Sequence, residues 1–370
     1  MNKNNIQQSK EKNKQKKSIF YIDCLWTENI PKRVLTNSSI NTFYICPKKY
    51  DLSYNKAIYP IKYNAATTIG SAVHLALDFL KSGHSLEFAI LKVVETFKDI
   101  INKLEKLLPE EDLDKIKQYA RFDLIKARAM VKIYNSIYHE TNFTNKTIDK
   151  EIDFKYFERV LGPMHLVNPK TLRLSKSFAI AGKSDGEGIH KKCHKTVSWE
   201  LKTTSMEFST IIENLEFGIQ MPLYQFMEGQ HDKRYPQFTV LDIIRKPSIK
   251  PLKKTKSTTG KRSRANDETP LQYYNRCIEL YTKEQSRFFG RYIIPVSEAN
   301  IINALELAWN TSRLIKFYDT HGYPAPRGTH CIGPYGVCEY KSLCWYDDWD
   351  FYEQLDIAHE ELGIIADKIR

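Results

Sequence analysis

Two strands joined by a short turn, residues 180–205, "IAGKSDGEGIHKKCHKTVSWELKTTS", constrain this chain more than any other stretch. Each strand carries a carboxylate, Asp185 and Glu200, and Lys202 follows the second acid by two positions. Residues two apart on an extended strand point the same way, so Glu200 and Lys202 share a face. With the strands antiparallel about a hairpin at His190–Lys195, Asp185 comes near both. Charged groups inside a sheet are unfavourable unless they pair or hold a metal. The stretch alone leaves two readings open. One is a cluster of Asp–Lys and Glu–Lys ion pairs on a solvated sheet edge. The other is a site for a hard divalent cation, made of two carboxylates and the Leu201 carbonyl between them. An amine beside such an ion orients an attacking water and stabilises charge on a phosphoryl group, which is the chemistry of phosphodiester hydrolysis.

The flanking segments predict an α/β protein. Residues 1–18 are polar and Lys-rich, as expected of a disordered basic arm. Over 35–140 apolar residues recur at three- and four-residue spacing, which predicts four helices. The first is capped by Ser38 and turns Ile40, Phe43, Tyr44 and Leu52 inward. The second, "TTIGSAVHLALDFLKSG", is stopped by Gly83; the third runs from a Ser85 cap to about Leu108; the fourth runs from Pro109 to about Tyr138. The period then changes. "TIDKEIDFKYF", "SFAIAGKSDGEGI" and "TVSWELKT" alternate as strands, "LEFGIQMPLYQFMEG" is helical, and "QFTVLDIIRK" has the apolar run of a fully buried strand. This strand–strand–strand–helix–strand order is an α/β core with a crossover helix, placed at 147–320 with a further helix (271–286), a strand "RFFGRYIIPV" and a helix from about Ser297 to Tyr318. A mobile basic loop is expected at 247–268, where seven Lys/Arg lie between Lys250 and Arg264. A cysteine-bearing segment (321–346) and a helical tail (347–370) complete the division of the chain.

Lys+Arg exceed Asp+Glu by 56 − 44 = 12, so a polyanionic partner is expected. No run of 18 apolar residues exists to span a membrane, and the N-terminus lacks the apolar stretch of a secretory signal. Seven widely spread cysteines, an odd number, argue for a reducing compartment over a disulfide framework. No G-x-x-x-x-G-K-[ST] loop is present, so no ATP-driven motor is expected.

"GKSD…WELK" resembles the core of the PD-(D/E)XK nucleases in the G-x-x-D plus E-x-K form of the RecB-like group, with Ser184 where the name has Pro. "GSAVH" resembles that group's first motif and "QMPLY" its Q-x-x-x-Y motif, in the same order along the chain. Read without company, His74 is a core histidine on an apolar helix, and Gln220 and Tyr224 are one side of an ordinary amphipathic helix. The resemblance implies a restriction-endonuclease-like core, a mixed central sheet flanked by helices. It further implies that His74, Asp185, Glu200 and the Leu201 carbonyl bind Mg²⁺ or Mn²⁺. Lys202 would position the nucleophile, and Gln220 and Tyr224 would support the site and the strand. Glu151, in "KEIDF", falls where the family often carries an acid on the preceding strand.

In "HCIGPYGVCEYKSLCW", six and then five residues separate Cys331, Cys338 and Cys344, wider than the knuckles of zinc sites. With Cys46 in "YICPKKY" they resemble the four cysteines that hold a [4Fe–4S] cluster in RecB-like nucleases of the AddB and CRISPR-adaptation kind. Zn²⁺ is the second choice, and buried free thiols are the plain alternative. Cys24, Cys193 and Cys277 match nothing, and "HKKCH" (His190, Cys193, His194) is read as a hairpin tip rather than a site. The implied function is a phage-like DNA nuclease, an exonuclease in recombination, repair or end processing of single-stranded DNA or duplex ends. A cytoplasmic location and a helicase or recombination protein as partner accompany that expectation. The alternative is a DNA-binding subunit that keeps the fold and cluster and does not cut.

Overall fold

A short strand, β1 (Arg33–Leu35), leads into helix α1 (Asn37–Ile45). The computed structural model describes residues 31, 33–141, 146–254, 266–322, 324–328, 330–333, 336–356, 359 and 362. The basic arm, Cys24, the middle of the basic loop and half of the C-terminal tail lie outside these residues. Thr36, not Ser38, caps α1: it is the last extended residue, its hydroxyl accepts from Ser39 N at 3.1 Å, and Ser39 Oγ accepts from Thr36 N at 2.8 Å. Helix α2 (Pro47–Tyr50), a π turn (Asp51–Asn55) and strand β2 (Ile58–Pro60) follow.

Three long helices come next, α3 (Ala65–Lys81), α4 (Leu86–Glu105) and α5 (Glu110–Tyr138), capped at Asn64, Ser85 and Pro109. The small strands β3 (His139–Thr141) and β4 (Thr147–Asp149) connect them to the sheet. Strands β5 (Ile152–Val167) and β6 (Leu174–His190) form an antiparallel hairpin far longer than the alternating segments predict. The irregular register of β5 breaks the period-two signal there, and residues 159–173 carry no strand prediction. Strand β7 (Thr196–Thr204) returns antiparallel to β6 through the expected turn.

The single helix expected at "LEFGIQMPLYQFMEG" is two, α6 (Phe208–Glu216) and α7 (Gln220–Asp232). They cross to β8 (Thr239–Arg245), which is parallel to β7 and buried through Ile244 as expected. Helices α8 (Pro270–Lys283) and α9 (Gln285–Phe288), strand β9 (Phe289–Ile294) and helix α10 (Glu298–His321) complete this part.

The main sheet has the order β1-β6-β7-β8-β9, with β5 on the other edge of β6. It is mixed, as expected: the β1–β6 and β7–β8 ladders are parallel and the others antiparallel. On one face Val73, Leu77, Val93, Met130 and Tyr134 pack against Trp199 and Leu201. On the other, Leu223, Phe226, Leu305 and Ala308 pack against Leu161 and Ile180. The C-terminal segment holds β10 (Ile332–Gly333), β11 (Gly336–Val337), α11 (Lys341–Tyr346) and β12 (Tyr352–Gln354). In the tail expected to be helical, Tyr352–Gln354 is therefore a strand. Strand β12 pairs antiparallel with β2, whose backbone groups no other strand takes among the described residues.

Candidate active site

One edge of β6 is shared by two neighbours. Strand β1 pairs with residues 178–180 and β7 with residues 186–189, so 181–185 face no strand on that edge. Strand β7 meanwhile runs on beside β8 through Thr204. The sheet splits there, and Asp185 and Glu200 are the first residues beyond the last β6–β7 pair, Gly186 with Trp199. Freed from the ladder, Leu201 N donates to Asp185 Oδ2 at 2.8 Å. A strand residue's N–H and C=O leave by the same edge, so the Leu201 carbonyl opens into the same gap.

Helices reach this gap from both faces of the sheet. Gly70 lets α3 lie close on β7, since a Cβ there would stand 3.2 Å from Thr203 Oγ1. One turn later His74 Nδ1 lies 3.5 Å from Asp185 Oδ1. From the other face α7 presents Gln220, Tyr224 and Glu228, spaced i, i+4, i+8 along one side. Gln220 Nε2 donates to Glu200 Oε1 at 2.7 Å, and Gln220 Oε1 accepts from Lys202 Nζ at 3.0 Å. Lys202 also forms an ion pair with Glu200. The Tyr224 ring lies against Gly182, where a Cβ would come within 2.6 Å of it. The glycine of G-x-x-D thus leaves room for the tyrosine of Q-x-x-x-Y.

The charges in the gap are interdependent. Burial raises the Glu200 carboxyl to about 7, the nearby Asp185 charge adds to this, and Lys202 opposes both. Burial also works to raise Asp185, but His74, Lys202 and the Leu201 amide together hold it below the ordinary carboxylate range. Burial works to lower the Lys202 ammonium, and Glu200 and Asp185 outweigh it, so the amine keeps its proton more firmly than usual. Burial pushes Tyr224 up, which leaves it a neutral hydroxyl.

Glu228 braces the two strands where they part. It is 1% exposed and accepts from the hydroxyls of Ser184 on β6 and Ser198 on β7, the neighbours of Asp185 and of Trp199–Glu200. Burial raises its carboxyl from 4.5 to about 8. Folding therefore favours the protonated acid: the stabilisation is complete below pH 4.5 and is lost as pH rises to about 8, by roughly 1.4 kcal/mol per unit inside that window. Glu228→Gln has no proton to lose there. Its melting temperature is expected to gain on the wild type steadily between pH 5 and 8, and parallel curves would refute this role for Glu228.

Of the residues that the motifs single out, His74, Asp185, Glu200, Lys202, Gln220 and Tyr224 and the Leu201 backbone meet at the split. Glu151 does not: it pairs with Arg291 Nη1 at 2.9 Å. Arg291 also binds Asp149 and Asp242 in a buried network on the β8–β9 side of the sheet. The acid that β5 does supply is Glu158, which no motif marks. Its oxygen, an Asp185 oxygen and a His74 ring nitrogen lie within 4.8 Å of one another.

Cys46, Cys331, Cys338 and Cys344 line a single small cavity together with Lys49 and Arg327. Cys46 Sγ accepts from Lys49 N at 3.4 Å and Gly328 N at 3.2 Å. Gly328 has to be glycine for this approach, because a Cβ there would meet Ile45 O at 2.2 Å. The β10–β11 hairpin brings Cys331 beside Cys338, whose N–H donates to Cys331 O at 2.8 Å. No three of the four sulfurs lie within 4.8 Å of one another. Cys193 is exposed on the β6–β7 turn and Cys277 lies on the buried side of α8.

An acidic gap in a split mixed sheet, with an ammonium held beside it and helices closing it from both faces, has the chemistry that acting on phosphodiesters requires. The family comparison agrees with that class: the model of the PD-(D/E)XK nuclease superfamily matches residues 34–345. The chain belongs to the PD-(D/E)XK nuclease superfamily, whose members are typically nucleases that use Mg²⁺ or Mn²⁺. No curated protein matches the chain. No helix among the described residues is long and apolar enough to cross a membrane.

Proposed function

We propose that this chain is a metal-dependent deoxyribonuclease that acts on DNA ends, as an exonuclease in recombination, repair or end processing. One observation carries the reading: two carboxylates, an imidazole, a strand carbonyl and an ammonium converge where β6 and β7 part. Asp185, Glu200, His74 and the Leu201 carbonyl would hold Mg²⁺ or Mn²⁺, a donor set of mostly hard oxygens suited to those ions. The fit is electrostatic as well, since Glu200 is pushed up by burial and by Asp185, and a cation would relieve both. When bound, the ion supplies Lewis acidity toward the phosphodiester and acidifies a water. Lys202 orients the nucleophile and faces charge developing on the phosphate, and Glu200 and Gln220 aim its ammonium. Tyr224 and Gln220 brace the strands against movement of the acids.

The C-terminal segment is proposed to carry a [4Fe–4S] cluster on Cys46, Cys331, Cys338 and Cys344. A single tetrahedral zinc with bonds of about 2.3 Å needs sulfurs about 3.8 Å apart. In a cluster each thiolate takes a different iron, so the four sulfurs need not crowd to the distances of a single zinc. Lys48, Lys49, Arg327 and Lys341 around the cavity suit an anionic cluster.

End-labelled single-stranded and duplex DNA incubated with the protein and Mn²⁺ tests the activity. Progressive loss of label-bearing ends, stopped by EDTA, is expected. Intact DNA under Mg²⁺ and Mn²⁺ on both substrates would reassign the chain to a DNA-binding subunit.

A further inference from the structure

Glu158 lies between Phe157, which pairs with Gly186, and Arg159, which pairs with Ser184, so it stands directly across from Asp185. Its φ of +46° is in the left-handed region, uncommon for glutamate, and takes it out of the regular pleat. The ligand atoms of Glu158, Asp185 and His74 form the one group of three metal-binding side chains found so close together among the described residues. Glu158 is ion-paired with Lys183, and the two side chains are 32% and 34% exposed. One turn beyond His74, Asp78 is 8% exposed, and its Oδ2 has no hydrogen-bond partner among the described residues. Burial works against its charge, Lys81 is its strongest charged neighbour, and Asp185 and Lys183 act on it more weakly.

We propose that Glu158 is a divalent-cation ligand together with His74 and Asp185, and that Lys183 is the resident counter-ion that the cation displaces. The inference rests on the split being the metal site and extends that site to a side chain outside every motif. Glu158 and Asp185 bring two carboxylates to the His74 side of the gap against the single charge of Lys183, while Asp78 answers first to Lys81. A partly exposed ion pair is weak and exchanges readily. A doubly charged ion that takes several oxygens at once wins that exchange. Lys183 is then released at the rim of the gap, free to meet a phosphate.

Calorimetric titration of the full chain with Mn²⁺, alongside melting curves that show each variant folded, tests this. Glu158→Gln is expected to weaken binding at least tenfold. Glu158→Asp keeps the charge but withdraws the oxygen by one methylene, and it should weaken binding nearly as much. Lys183→Met should tighten binding several-fold. Wild-type affinity in Glu158→Asp would reduce Glu158 to a distant charge and overturn its ligation, and unchanged affinity in Lys183→Met would overturn the displacement. Asp185→Asn separates the two levels. If it loses Mn²⁺ while both Glu158 variants keep it, only the Glu158 proposal fails; if it binds like wild type, the split is not the metal site.

Discussion

Asp185→Ala protein is expected to fold, to bind DNA at least as tightly as the wild type, and to leave it uncut. The carboxylate is the point at which His74 from one face and the Leu201 amide from β7 converge. Its removal dismantles the proposed cation site, and water entering the space left by this 14% exposed side chain can meet the orphaned Leu201 N–H. The stability loss should be that of one hydrogen bond, about 1 kcal/mol. Binding gains because a negative charge beside the phosphate path is gone. Lys202→Ala should cut poorly for a different reason: the carboxylates remain to hold metal, while the charge facing the phosphate is lost, an effect on the order of 10²–10³ in rate. An ion-pair cluster with no catalytic role forecasts otherwise, with modestly lower melting temperatures and digestion in proportion to folded protein. Melting temperature, DNA affinity and Mn²⁺-dependent digestion on the same three preparations decide between them. Digestion at the wild-type rate by folded Asp185→Ala would sink the mechanism.

Cys338→Ser is expected to bleach a protein that is otherwise brown when purified without oxygen, and to loosen the C-terminal segment from the N-terminal helices. Cys46 and Cys331 are 285 residues apart (331 − 46), so a cluster joining them closes most of the chain into a loop. By the chain-entropy relation for cross-links, such a closure is worth about 6 kcal/mol. Side chains already hold part of the junction: Leu52, Ile58, Tyr340 and Leu343 form a small core there, and Ser53 Oγ donates to Tyr340 Oη at 2.9 Å. Cluster loss should therefore raise proteolytic sensitivity around 325–350 before the nuclease core melts. Cys193→Ser, altered on an exposed turn, should change neither colour nor stability. Native protein that is colourless and carries one zinc per chain would overturn the iron assignment and leave the four cysteines as a metal site.

Where side-chain chemistry repeats along the chain, the fold was legible. The helical period from 65 to 138 and the caps at Ser85 and Pro109 marked three helices to within a few residues. The Asp185–Glu200 hairpin was legible because the turn at 190–195 sets its register. Residues 159–173 were not, since bulges in β5 shift the register at Leu161/Met164 and His165/Val167 and erase the alternation. The sequence favours Ser38 over Thr36 because the cap depends on where β1 ends, and a three-residue strand leaves little trace.

The sequence by itself determined which residues could make a site: the acids, the lysine, the histidine and the Gln–Tyr pair lie in motifs whose spacing is local. It determined as well that α3 and α7 would each carry a polar group on an otherwise apolar side. Only the tertiary structure decided that β6 is shared between β1 and β7, which opens the gap where Asp185 and Glu200 meet. Only it decided that Glu158, and not Glu151, faces that gap, and that Glu228 ties the strands together beneath it. The physical reason is the range of the interactions. Caps, turns and helix faces are set by neighbours a few residues away, whereas a split in a sheet is a contest among strands more than a hundred residues apart for one edge of backbone hydrogen bonds.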